Sequence, residues 1–267
     1  MSNWLGKSVL IGLLVLVGCG GNGRAPSNLR LEADTDSTVK VIWSVPTDAK
    51  PDEYLVSFRA AHETSFSLVG ETTANIWVHN PSGATGWYRV EARYGTANYA
   101  AGANPTTVPV WTDTVTLAEL NATGNSGFGW DRQSGQGRPL AMTDEHNVKS
   151  VDFYVTDFKP AGMNQGPYSI ASPDMGPSDP ADVVPTDSWQ ASAFTDSLPD
   201  ENAMLPAFSE TAYFNYTDIL RVPCSVGCLT AGNHYALVKI VAVDVEHQCL
   251  RAEMWYQLVP GLRLTGH

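Results

Sequence analysis

Apolar and polar residues alternate with a period of two through most of this chain, and such a run forms one continuous hydrophobic face only when it is extended. Leu29 and Leu31, then Val39, Val41 and Trp43, then Tyr54, Val56 and Phe58 are each separated by polar or outward residues. Turn formers such as Asp34-Thr35-Asp36-Ser37 and Asn80-Pro81-Ser82-Gly83 stand between the runs. In 234–245 both parities are largely apolar, which predicts a strand buried on both faces at the centre of a sheet. No stretch carries a long apolar stripe at helical spacing, so the expected fold is all-β.

Small residues and a proline at 100–107 predict a boundary near residue 109, separating a first unit over 26–108 from a second over 109–267. In the first, Ile76 and Val78 are expected to face inward, and parity then turns Trp77 outward; Trp87 is also expected outward. In the second, Val115 and Leu117 lie on a strand, and the glycine-rich 121–138, holding Phe128 and Trp130, is expected to be a loop. A strand is expected over 148–158, with Val151, Phe153 and Val155 opposite Asp152, Tyr154 and Thr156. Proline-rich 159–206 predicts a long irregular excursion over the surface, with one or two short strands or turns. Strand material resumes at 212–216 and 219–222, and 250–264 supplies a closing pair broken at Pro260-Gly261. The second unit is therefore expected to be a β-sandwich or jelly-roll-like domain with long loops.

Several spaced features of the first unit, namely Pro26, Leu29, Trp43, Tyr54 and the Tyr88-x-Val90-x-Ala92 run, resemble a fibronectin type III domain. The resemblance covers about 85 residues. It implies a sandwich in which Trp43 is the central core aromatic and Tyr88 the tyrosine of the corner before its strand. The leucine that usually precedes this corner has no counterpart near Val78 to Pro81, which implies a rearranged corner.

At the N-terminus, Lys7 precedes an apolar run from Val9 to Val17, followed by Gly18 and Cys19, in the order of a secretory signal. The run is about ten residues, whereas a membrane-spanning helix needs about 20. Leu16-Val17-Gly18-Cys19 resembles the lipobox of bacterial lipoproteins. That resemblance implies a signal peptide over 1–18, a lipid on Cys19, a flexible glycine-rich tether over 19–25, and an extracytoplasmic protein on the cell membrane or outer membrane. Gly20 is not the Asp associated with inner-membrane retention, which favours the outer membrane. A formal charge of -12 argues against nucleic acid as a partner.

Export favours disulfides over reduced thiols. Cys224 and Cys228 are expected to close a local bond around a turn, leaving Cys249 buried; the alternative joins one of the two to Cys249. With His247 the three cysteines have the composition of a structural zinc site, but their spacing and compartment argue against one, and no metal or cofactor is expected. Acidic residues over 174–201 read as a solvated loop without a calcium-binding pattern. The histidines are scattered, and neither G-x-S-x-G, H-E-x-x-H nor a phosphate-cradling glycine loop occurs. Asp144, Glu145, His146 and Asp152 suggest acid–base chemistry, but charged residues at a strand entrance are usually solvated. No catalytic residue is assigned, and the chain is not expected to be an enzyme. The leading expectation is a surface-tethered structural or interaction lipoprotein, held to the membrane by lipid and meeting a protein or glycan. The alternative is carbohydrate binding on exposed aromatics, chiefly Trp130 and Trp189, with Trp111, Trp255 and Tyr168 in support.

Overall fold

A computed structural model describes residues 24–158, 165–175, 189–198 and 204–266. The signal peptide over 1–18 and Cys19 lie outside them. Of the expected tether, Arg24 and Ala25 are described, and Arg24 stacks on Tyr94 and Tyr99, 5.6 and 5.8 Å from the ring centres.

Seven strands build the first sandwich: β1 (Ser27–Ala33), β2 (Val39–Ser44), β3 (Glu53–Ala60), β4 (Ser67–Thr72), β5 (Ile76–His79), β6 (Gly86–Tyr94) and β7 (Ala97–Ala100). They form two antiparallel sheets, ordered β1-β2-β5 and β4-β3-β6-β7. The alternation sets the inner faces: Val39, Val41 and Trp43 on β2 meet Tyr54, Val56 and Phe58 on β3 and Tyr88, Val90 and Ala92 on β6. Trp43 is 1% exposed, with its ring 5.1 Å from that of Tyr54.

Strand β5 runs opposite to its expected parity. Ile76 and Val78 are 40% and 46% exposed, whereas Trp77 packs on the core. The cause is Gly70 on β4, where a Cβ would stand 2.1 Å from the indole, so the missing side chain makes room for Trp77. Trp87 does face outward, beneath the Arg59 guanidinium at 4.3 Å from its ring.

The second sandwich also has two antiparallel sheets, each of five strands. One, β13-β15-β16-β17-β8, comprises β8 (Val110–Ala118), β13 (Ala193–Phe194), β15 (Cys224–Leu229), β16 (Tyr235–Asp244) and β17 (Cys249–Tyr256). The other, β10-β9-β11-β12-β14, comprises β9 (Gly127–Trp130), β10 (Gly137–Leu140), β11 (Phe153–Thr156), β12 (Ser169–Ala171) and β14 (Tyr216–Asp218). As both apolar parities require, β16 is the middle strand. Its Ala236, Val238 and Ile240 enter the core between the sheets, while Tyr235 and Leu237 are covered on the other face by Leu205 and Tyr213.

The glycine-rich stretch is more regular than expected, and the excursion carries its expected short strands. The glycine-rich stretch is the β9–β10 hairpin, because its glycines are places of close approach: a Cβ on Gly129 would lie 1.7 Å from the Ser150 carbonyl oxygen, and one on Gly137 would lie 2.1 Å from the Phe128 ring. The excursion after residue 158 supplies β12, which is inserted between β11 and β14 with all three residues buried. It is part of the sheet.

The boundary near residue 109 falls between β7 and β8, and the chain crosses back over it at its far end. Among the described residues no strand follows β17; the chain returns to the first sandwich, where Val259, Leu262 and Leu264 join that core. Burying a leucine contributes about 1.5–3 kcal/mol, and Leu262 and Leu264 are both fully buried. Gln257, also fully buried, holds the joint: its side-chain N–H donates to the carbonyls of Thr107 (2.8 Å) and Leu264 (2.6 Å), and its oxygen accepts from Val259 N (3.0 Å). Arg263 pairs with Asp36 at 2.9 Å and donates to the Leu205 carbonyl at 2.7 Å, connecting both sandwiches through one side chain.

Candidate functional site

Beneath the β9–β10 hairpin lies a buried polar network. Asp152 is fully buried, just before β11, where its carboxylate accepts from the Trp130 backbone N–H (2.9 Å) and from Arg132 Nη1 (3.1 Å) and Nη2. Arg132 Nη1 also donates to the Tyr256 hydroxyl at 3.1 Å. The Tyr256 ring is stacked between Trp130, 5.3 Å away, and His234, 5.0 Å away. His234 Nδ1 donates to the Gln257 carbonyl at 2.8 Å, which fixes its tautomer and links this network to the inter-sandwich joint.

Burial dominates the electrostatics here. It raises the Asp152 carboxyl, against the opposing pull of Arg132 and the Trp130 amide. It lowers the His234 imidazole, which is therefore held neutral, and pushes the Tyr256 hydroxyl up to about 12. An aspartate this deep is tolerated because it has both a cationic partner and an amide donor.

Above the network, the hairpin and the 149–150 backbone border an open groove of about 810 Å³. Its lining includes three cations, Arg132, Arg138 and Lys149, one carboxylate, Asp131, and the amides Gln133 and Gln136. Register brings the cations together: Arg138 pairs across the ladder with Gly129, and Ser150 lies against the same glycine. Asp131 is turned into the hairpin, where its carboxylate accepts from Ser134 N (2.7 Å), Ser134 Oγ (2.8 Å) and Gln133 N (3.1 Å), and these bonds hold its pKa below the ordinary range.

The aromatic platform expected on Trp130 and Trp189 is not present. Trp130 is 4% exposed in the core between the sheets, and Trp189 is 5% exposed in a different cluster beside Leu140 and Tyr154. Both are consumed by packing, as are Trp255 and Tyr168; Trp111, 51% exposed on β8, is the open one of that set. The local Cys224–Cys228 bond is also excluded. Both residues lie on β15, where four residues of extended chain span about 13 Å, well beyond the roughly 7 Å limit for bridging. Cys249 lies two strands across the sheet, about 10 Å sideways before any offset, so it reaches neither. All three thiols are free, and burial raises those of Cys224 and Cys228.

Asp152 is not joined to Asp144 and His146. Those two bond each other in an exposed turn (2.9 Å), as Asp244 and His247 do at 2.8 Å in another. Among the described residues no group of three His, Cys, Asp or Glu side chains could hold a metal ion, and no helix is long and apolar enough to cross a membrane. Arg132 and Arg138, which face the groove, were not singled out by the sequence. The one available signal was that the hairpin places two arginines and a lysine-bearing segment around consecutive glycines in an otherwise acidic chain. Fold and site together define an all-β double sandwich with a polar groove. No family model matches the chain, and no curated protein matches it.

Proposed function

We propose that this protein is a membrane-tethered, extracytoplasmic lipoprotein whose folded part is a non-catalytic interaction module, a two-sandwich stand held off the membrane by lipid on Cys19. The observation that carries this reading is the return of 259–266 into the first core, which makes the two sandwiches one continuous body. A stiff body on a short N-terminal lead suits the presentation of a surface at a fixed distance from a membrane. The Leu16-Val17-Gly18-Cys19 motif supplies the attachment. Two acyl chains are enough to make such attachment stable.

The fibronectin type III resemblance of the first unit is supported by its strand order. The three-stranded β1-β2-β5 sheet faces a four-stranded sheet in which β3 and β6 are central. Tyr88 lies near the start of β6, and its hydroxyl shares a 2.9 Å hydrogen bond with His79 Nδ1 on β5. Metabolic labelling with palmitate tests the anchor. The native chain is expected to take up label and sediment with membranes, and Cys19→Ala to do neither. Labelling and membrane retention that survive this substitution would overturn the proposal.

A further inference from the structure

We propose, resting on the reading of Cys19 as the lipidated residue, that one end of the first sandwich is a membrane-facing surface. That end, formed by Arg24, Tyr94, Tyr99 and the 45–52 loop, lies on the phospholipid headgroup layer, and the second sandwich is displayed away from it. The observation behind this is where the chain enters the fold. Arg24 lies over the rings of both Tyr94 and Tyr99, which meet edge to face at 5.6 Å, and its Nη1 donates to the Tyr99 hydroxyl at 3.3 Å. The Tyr94 hydroxyl donates to the Ala49 carbonyl at 2.7 Å, with the Arg24 carbonyl at 3.3 Å as a second acceptor. Side chain and backbone of Arg24 are thus both held, at the end of the sandwich where β6 turns into β7.

Two lengths set the orientation. Five Cα–Cα steps lead from Cys19 to Arg24, at most about 18 Å of fully extended chain. The second sandwich joins the first at its opposite end, where Thr107 N donates to the Gly86 carbonyl at 2.8 Å and Thr85 Oγ1 to the Gly266 carbonyl at 3.0 Å. From Gly86 to Tyr94, β6 runs about 27 Å between that joint and the Arg24 end. Strand β1 agrees, since it starts at Ser27 beside Arg24 and leads to Asp36, which pairs with Arg263 at the joint. An inverted body would have to lift Arg24 above the bilayer by the length of the first sandwich and the thickness of the second. The lead is too short for that. Roughly 5–8 Å of its reach is also spent within the headgroup layer itself.

The surface at this end suits such a position. Tyr94 and Tyr99 are half-exposed, and rings with a polar tip are enriched where membrane meets water. Together with Arg24, residues 45–52 and 94–99 carry two cations, Arg24 and Lys50, and two carboxylates, Asp48 and Asp52. The whole chain has 28 acidic residues against 16 basic ones, so this end lacks the acid excess that an anionic leaflet would repel.

Headgroup quenching of the lipidated full chain tests the orientation. The chain is extracted in detergent and reconstituted into phosphatidylethanolamine–phosphatidylglycerol vesicles containing a phosphatidylcholine spin-labelled on its headgroup. It carries one bio-orthogonally attached fluorophore, at exposed Thr96 in the β6–β7 turn or at exposed Glu246 in the β16–β17 turn. The second position lies at the far end of β16 from Tyr235, whose carbonyl accepts from Gln257 N at the joint. Emission at Thr96 is expected to fall at least about twofold, because the lead keeps that end within about 18 Å of Cys19, and emission at Glu246 to stay unchanged. If the label at Thr96 alters the circular dichroism spectrum, Ala49 takes its place under the same expectation. Quenching at Glu246 equal to that at Thr96, or an unquenched Thr96 on protein that floats with the vesicles, would overturn the orientation and leave the anchor standing. A chain that does not float with the vesicles would overturn anchor and orientation together.

Discussion

Asp152 is the residue whose environment says most about the second sandwich. Burial works against its charge and Arg132 and the Trp130 amide offset part of that cost, so replacing the carboxylate leaves a partly buried guanidinium without its partner. Asp152→Asn should therefore destabilise the protein by about 2–3 kcal/mol in urea titration, below the usual figure for a fully buried pair because Arg132 is partly exposed. Replacing both partners, Asp152→Leu with Arg132→Met, should recover part of that loss; a single variant as stable as the parent would mean that the pair contributes nothing. The histidines make a pH prediction. Burial lowers the pKa of both His79 and His234 in the folded protein. The unfolded chain, at about 6.5, then takes up protons first as the pH falls, so the stability present above that value is lost on acidification towards the folded pKa values. The drop in urea midpoint between about pH 7.5 and about pH 5.5 should be smaller in His79→Gln than in the native chain. This comparison separates the histidine from the general relief of negative charge, and an equal or larger drop in the variant would contradict it.

Strands show where period-two reading succeeds and where it stops. On β2 and β3 the alternation alone placed Val41 and Tyr54 correctly, because nothing but water or core competes for those faces. On β5 it gave the wrong face, since the deciding fact is the space above Gly70 on a neighbouring strand. Gly70→Ala should thus cost about 1–3 kcal/mol through collision with Trp77, and a neutral effect would mean the indole lies elsewhere. The β9–β10 hairpin was hidden for a related reason. Glycines that read as loop formers are there to admit the Ser150 backbone and the Phe128 ring, which are distant or unpredictable neighbours in sequence. The cysteines failed on geometry: Cys224-Ser225-Val226-Gly227-Cys228 looks like a turn, but its residues pair in register with β16 from end to end. Of the candidate site, Asp152 was visible as a polar residue on an apolar strand, whereas its partner Arg132 could be found only from the fold.

For the whole molecule, sequence composition and pattern gave the all-β class and the two-part layout but not the connection between the parts. Val259, Leu262 and Leu264 follow a proline break and look like a closing strand, and nothing local indicates that they complete a core built from residues more than 160 positions earlier in the chain. Leu262→Ala should destabilise the first sandwich by about 2–4 kcal/mol even though the residue follows the last strand of the second. The central structural claim is that this return makes the sandwiches one cooperative body. Differential scanning calorimetry of the full chain tests it most directly. A single transition whose calorimetric and van't Hoff enthalpies agree is the predicted result, and two separable transitions in the native chain would contradict it.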